Sequence, residues 1–257
     1  MEMSLKKLLN ILTKRSVEVN FKTEVIDPYL TTQRDFTKEE KEEIFFVRNY
    51  TMTSDERLVT LSRSIKYLFD NDIEGDIVEC GVWRGGSMML AANKLRNLKC
   101  LNKKIFLFDT FQGMTEPSEV DIAWDSISAQ ERLVNEPRFE GRNAWCYSTL
   151  DEVKSNLFKT QYPKENIFFI EGKVENTLPS NLVDKISLLR LDTDWYESTK
   201  HELECLFDKL VVGGILIIDD YGHWQGAKKA VDEFIKERKL KLFLNRIDYT
   251  GRLAIKI

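Results

Sequence analysis

Asp76-Ile-Val-Glu-Cys80-Gly-Val-Trp-Arg-Gly85-Gly-Ser87 reads as a short buried strand that runs through a glycine turn into a helix. Gly81 permits a tight turn, and Gly85 with Gly86 lets a ligand approach the N-terminus of the helix that continues over 87–97. The spacing is not G-x-G-x-x-G, and the lysine of a phosphate loop is missing, which argues against an NTPase. Taken alone, the turn is a weak signal, and glycines needed only for helix-on-sheet packing are the alternative.

Outward from this stretch, apolar runs recur at 104–108, 166–170, 186–191 and 214–218, making five buried strands with the first. Helical patterns separate most of them, at 87–97, in one or two pieces within 129–158 and at 197–210, with another at 226–238 after the fifth strand. Strand and helix in alternation predict a parallel sheet covered on both faces. Thr53-Ser-Asp-Glu56 fits a capping box opening a helix that runs to about Phe69. Two further strands are expected at 240–245 and 252–257, joined by the turn-rich Asp248-Tyr-Thr-Gly251. The expected fold is α/β, with seven strands and an antiparallel pair at the end.

Residues 1–50 are expected to be a helical extension, and 51–257 the main domain. In the extension, Leu5, Leu8, Leu9 and Leu12 keep helical spacing among Lys6, Lys7, Lys14 and Arg15, and a second charged helix fits 36–48. A flap on the body or on a second subunit accounts for it, and a helix on a membrane surface is the alternative. A homo-oligomer, a dimer, is expected.

Composition narrows the function. The 257 residues are 42% hydrophobic and 31% charged, an ordinary globular balance. A net charge of −4 leaves no cationic excess for a phosphate backbone, so nucleic acid is not an expected partner. Four cysteines without a C-x-x-C pair and only two histidines argue against zinc and against a disulfide framework. No apolar run approaches the roughly 18 residues of a transmembrane helix, and no signal peptide is recognisable, so a cytoplasmic location is expected.

In an open α/β sheet, ligands bind beyond the carboxyl ends of the strands. The second strand ends in Asp109, placed to accept both hydroxyls of a ribose or simply to cap the next segment. With the glycine turn, it suggests an adenosine-containing cofactor. Glu171 and Gly172, after the third strand, are candidates to line the adenine. The strongest signal is acidic: strand four ends in Asp192-Thr-Asp194 and strand five in Asp219-Asp220. Period-two geometry points Asp192 and Asp194 to one side. Four carboxylates at one mouth need protonation, hydrogen bonds or a cation, and an all-oxygen set selects Mg²⁺, Mn²⁺ or Ca²⁺. Capping of the following helices is the plainer explanation for either pair alone. Tyr196 and Glu197, which follow the first pair, and His223 and Trp224, which follow the second, are candidates to shape an acceptor pocket.

Four segments together resemble the macrocin O-methyltransferase (TylF-like) family: Thr51-Met-Thr-Ser54-Asp-Glu-Arg57, the Glu79–Ser87 turn, Asp192-Thr-Asp-Trp-Tyr-Glu-Ser-Thr199, and Asp219-Asp-Tyr221 with Ala230-Val-Asp-Glu-Phe234. The resemblance spans roughly 50–236. It implies the three-layer, Rossmann-like class I fold of S-adenosylmethionine-dependent methyltransferases, with Mg²⁺ (or Mn²⁺) as the second cofactor. By motif it assigns Asp192, Asp219 and Asp220 to the metal and Asp194 to the general base. It places Glu79, Gly81, Ser87 and Asp109 at the S-adenosylmethionine site, with Met52 and Thr53 contributing. Trp195 stands where Leu is commoner, and Gln112 replaces an acid. The implied acceptor is a small molecule or glycan offering a vicinal diol, most simply a sugar, although a catechol satisfies the same chemistry. Two alternatives stay open from the residues: a metal-dependent glycosyltransferase using Asp192-x-Asp194, and a non-catalytic glycan-binding or partner subunit on the same fold.

Overall fold

The computed structural model describes residues 35–135 and 146–257. The Leu5–Leu12 pattern and the interior of 129–158 lie wholly or partly outside these residues. The chain divides into Met1–Phe36 and Thr37–Ile257, and all elements below belong to the second unit.

Helix α1 (Lys38–Val47) opens with a capping box in which the Thr37 hydroxyl accepts from the Glu40 N–H and the Glu40 carboxylate accepts from the Thr37 N–H. Lys94 ties α1 to the next layer through Glu43, at 3.0 Å. The second helix candidate of the extension is therefore built into the body. Helix α2 (Asp55–Asp70) is capped by Ser54, whose side chain accepts from the Arg57 N–H. The expected Thr53 cap is displaced by one residue, because the buried Thr53 hydroxyl instead accepts from Arg190.

Strands β1 (Asp76–Cys80), β2 (Ile105–Asp109), β3 (Ile167–Glu171), β4 (Ile186–Leu191) and β5 (Leu210–Ile218) run parallel to one another. The sheet has seven strands in the order β3-β2-β1-β4-β5-β7-β6, with β6 at Asn245–Arg246 and β7 at Arg252–Ile255. β7 runs antiparallel to both β5 and β6. All six residues of β4 are buried, as expected of a central strand covered on both faces.

Helices α3 (Gly86–Asn97), α4 (Ala129–Asn135), α5 (Leu150–Phe158), α6 (Val174–Thr177), α7 (Tyr196–Leu206) and α8 (Gln225–Glu237) complete the described elements, apart from three short 3₁₀ turns. Val78, Cys80, Leu189, Leu191, Leu216 and Ile218 alternate onto one face of the sheet and pack with Leu203 and Leu206 of α7 and Val231 and Phe234 of α8. Alternation sends Glu79, Arg190 and Ile217 to the opposite face, where α2 lies against β4 and β5. This face carries the polar residues of the site.

Two expectations need correction. The strand foreseen at 240–245 is reduced to Asn245–Arg246, since Leu240, Leu242 and Leu244 spend their alternation covering the α7–α8 core instead of pairing in a ladder. The helix foreseen to Leu210 stops at Leu206, and β5 starts earlier, at Leu210. The β4–β5 register is irregular between Ile186 and Leu188, and Gly213, at φ 80°, takes up the bend.

Candidate active site

Beyond the carboxyl ends of β1, β2, β4 and β5 opens a cavity of about 430 Å³. The glycine turn forms one end. Gly81 has φ 82°, and a Cβ there would lie 2.0 Å from the carbonyl oxygen of Asp192. The turn after β1 is thus pressed onto the turn after β4, a contact only glycine tolerates. A Cβ on Gly86 would lie 2.6 Å from the Tyr50 carbonyl oxygen, and Ser87 is buried in the first turn of α3, facing the cavity. Met52 and Thr53 also line the cavity.

Asp109 lines the cavity but is already engaged. One carboxylate oxygen accepts from the Val82 and Trp83 N–H groups at 2.6 and 3.1 Å, and the other from Phe111 at 2.7 Å. It braces the glycine turn across two strand ends. Burial raises its pKa, and the N–H groups of Val82, Phe111 and Trp83 oppose the rise.

The acidic pairs form the other end. One oxygen from each of Asp192, Asp219 and Asp220 lies within 4.8 Å of the others. A six-oxygen shell at about 2.1 Å needs donors about 3–4 Å apart, so small side-chain shifts suit these three to a hard cation. Burial pushes the Asp192 and Asp220 carboxyls well above the usual range, with Arg190 opposing at both and Arg57 at Asp220; a bound cation would restore their charged forms.

Part of the repulsion is relieved by two arginines. Arg190 donates through one terminal nitrogen to Glu79 and Asp192, each at 2.7 Å, and through the other to Asp219 at 2.7 Å and Thr53 at 3.2 Å. Arg57 of α2 pairs with Asp219, and with Asp248 at 3.0 Å. Burial raises the Glu79 pKa to about 7 against the pull of Arg190, and its second oxygen is buried with no hydrogen-bond partner.

Asp194 reaches the mouth by a different route from the one expected. Asp192 follows the strand alternation of Arg190, but Asp194 has φ 68°, past the end of β4, so period-two geometry does not apply to it. Its N–H donates to Asp220 at 3.2 Å, and its Oδ1 accepts the indole N–H of Trp224 at 2.7 Å. Burial first, then the charge of Asp192, raises its pKa to about 7.

His223 lines the cavity, and Gly172 does so at φ 141°. Glu171 is exposed and outside the cavity wall. Tyr196 and the exposed Glu197 also lie outside it, the Tyr196 hydroxyl donating to Glu233 at 2.6 Å. Trp224, expected with His223 to shape the pocket, lines the cavity too, whereas the parts played by Arg57 and Arg190 were not foreseen. Arg190 left a readable sign, a charge inside the apolar run Ile186–Leu191, whereas Arg57 does not stand apart in the sequence.

This strand order, with its antiparallel β7, its glycine turn after β1 and its acid after β2, defines a class I S-adenosylmethionine-dependent methyltransferase. The family model of the macrocin O-methyltransferases (TylF) matches residues 9–254, and the chain belongs to that family. Demethyldecarbamoylnovobiocin O-methyltransferase of Streptomyces niveus is 34% identical over 79% of this chain and 74% of its own length. The 8-demethyl-8-(2,3-dimethoxy-alpha-L-rhamnosyl)-tetracenomycin-C 4'-O-methyltransferase of Streptomyces olivaceus is 30% identical over the same shares. The solved O-methyltransferase NovP superposes with a TM-score of 0.68 at 30% identity, over 80% of this chain and 82% of that one. The chain is therefore an O-methyltransferase, which sets aside the glycosyltransferase and non-catalytic readings. No described helix is long and apolar enough to cross a membrane.

Proposed function

We propose that this enzyme methylates one hydroxyl of a vicinal diol on a sugar, with S-adenosylmethionine as donor and Mg²⁺ or Mn²⁺ held by Asp192, Asp219 and Asp220. The observation that carries the reading is the meeting of Asp192, Asp219 and Asp220, with Asp194 beside them, in a cavity that the glycine turn also lines. The relative that methylates a rhamnosyl group supports a sugar acceptor.

When bound, the sulfonium supplies an electrophilic methyl group and the cation lowers the pKa of a hydroxyl beside it. The residues of this chain do the rest. Gly81, Ser87 and Asp109 shape the donor end, with Met52 and Thr53 over it. Asp194 takes the hydroxyl proton as the acceptor oxygen bonds to the methyl carbon and the carbon–sulfur bond breaks, leaving S-adenosylhomocysteine. Trp195 and Trp224 meet edge to face at 5.0 Å beside this point and, with His223, wall it from water. Holding the oxygen in line with the methyl carbon is a large part of the rate.

The test is S-adenosylhomocysteine release with methyl α-L-rhamnoside, other diol-bearing methyl glycosides and catechol, each with Mg²⁺ and with EDTA. Turnover of a glycoside that stops in EDTA is expected. Turnover of catechol alone overturns the sugar assignment, and full turnover in EDTA overturns the metal.

A further inference from the structure

We propose that Trp224 is a positioning residue for methyl transfer, its indole N–H fixing the Asp194 carboxylate; this rests on the reading of Asp194 as the base. The geometry is specific: Nε1 of Trp224 lies 2.7 Å from Oδ1 of Asp194. Trp224 is itself held from several sides. Its N–H donates to the Asp220 carbonyl at 3.0 Å, its backbone bridges Ala123, and the next residue, Gln225, donates to Ile122 at 2.8 Å. The ring packs edge to face on Trp195, which is anchored by its own indole N–H to the Thr115 carbonyl at 3.0 Å. Only 8% of Trp224 is exposed, so its donor points from a fixed place.

The choice of donor separates Asp194 from its neighbours. Asp192 and Asp219 receive guanidinium groups, which neutralise as well as orient. Asp194 receives an indole, a donor that carries no charge and does not ionise at ordinary pH. An acid meant to accept a proton is thereby aimed without being neutralised. Asp194 stands in left-handed backbone just past β4, where the strand no longer dictates its side-chain direction, so the aim has to come from outside the strand.

The test has two arms on the full-length protein. In the first, tryptophan labelled with ¹⁵N gives one indole signal for each of the five tryptophans, and Trp224→Phe assigns the one that disappears. This signal should lie downfield with slow solvent exchange, and Asp194→Ala should move it upfield and speed exchange. The second arm is a double-mutant cycle with the glycoside turned over in the acceptor screen. Trp224→Phe should lower kcat roughly tenfold at unchanged KM for donor and acceptor, and should add almost nothing in an Asp194→Asn background. Calorimetry with Mg²⁺ alone should show unchanged affinity. An indole signal indifferent to Asp194→Ala, or losses that multiply in the double variant, overturns the proposal. Near-native turnover of Asp194→Asn would sink the reading of the base. A crippled Asp194→Asn beside an unimpaired Trp224→Phe would sink the positioning role alone.

Discussion

Glu79 and Arg190 stand opposite each other in the parallel β1–β4 ladder, and their side chains meet at 2.7 Å beneath the cavity. The same guanidinium holds Asp192 and Asp219, so one buried cation joins the glycine turn to the proposed metal ligands. Each carboxylate keeps its place partly because the others share this partner.

Arg190→Leu should therefore cost about 3–5 kcal/mol of stability, because it leaves the buried Glu79 and Asp219 and the half-buried Asp192 short of their cation. Denaturant titration measures the loss. Arg190→Lys keeps the charge but cannot reach all three acids with a planar fork, so it should fold and bind both S-adenosylhomocysteine and Mg²⁺ more weakly. Calorimetry that found only one affinity changed would deny Arg190 its part in joining the two ends.

Asp109→Ala should weaken S-adenosylhomocysteine about ten- to a hundredfold. Because Asp109 also accepts from Val82, Trp83 and Phe111, the variant should melt at a lower temperature even without ligand. A melting point equal to wild type would mean that the turn holds its shape without the brace.

How much of this was readable depends on sequence distance. The strand runs and the two acidic pairs are local patterns, so the sheet and Asp192, Asp219 and Asp220 could be placed before any coordinates. The Arg190 to Glu79 contact spans 111 residues, and no local pattern couples the two. Asp194 was assigned to the right mouth by an argument that does not hold, since its left-handed φ breaks the strand period. Leu240, Leu242 and Leu244 show the converse: a period-two pattern states which side is apolar, not whether the chain pairs in a ladder.

Glu202, a buried acid behind Thr193 that does not line the cavity, offers a test by pH. It is fully buried on α7, accepts from the Thr193 hydroxyl at 2.9 Å and leaves its other oxygen without a partner. Burial raises its pKa well above 4.5. The folded state therefore holds the proton more tightly than the unfolded one, and this stabilisation is complete below pH 4.5 and drains away as pH rises toward the folded pKa. Glu202→Gln cannot titrate, so it should lose less melting temperature than wild type between pH 5 and pH 8. Parallel curves for the two proteins over that range would place the carboxylate in better company than this structure does.

The most discriminating comparison is between the two acids of Asp192-Thr-Asp194. Asp192→Asn removes a charged ligand and should raise the Mg²⁺ concentration for half-maximal activity, while S-adenosylhomocysteine still binds. Asp194→Asn should leave both affinities nearly intact and slow methyl transfer about 10²–10⁴-fold, the usual share of a general base. Asparagine keeps the shape of aspartate, and at position 194 its carbonyl can still accept the Trp224 indole, so lost packing does not mimic the effect. If Asp194→Asn at saturating Mg²⁺ keeps near-native single-turnover rates, the proton leaves by another group, and His223 on the cavity wall is the next to replace.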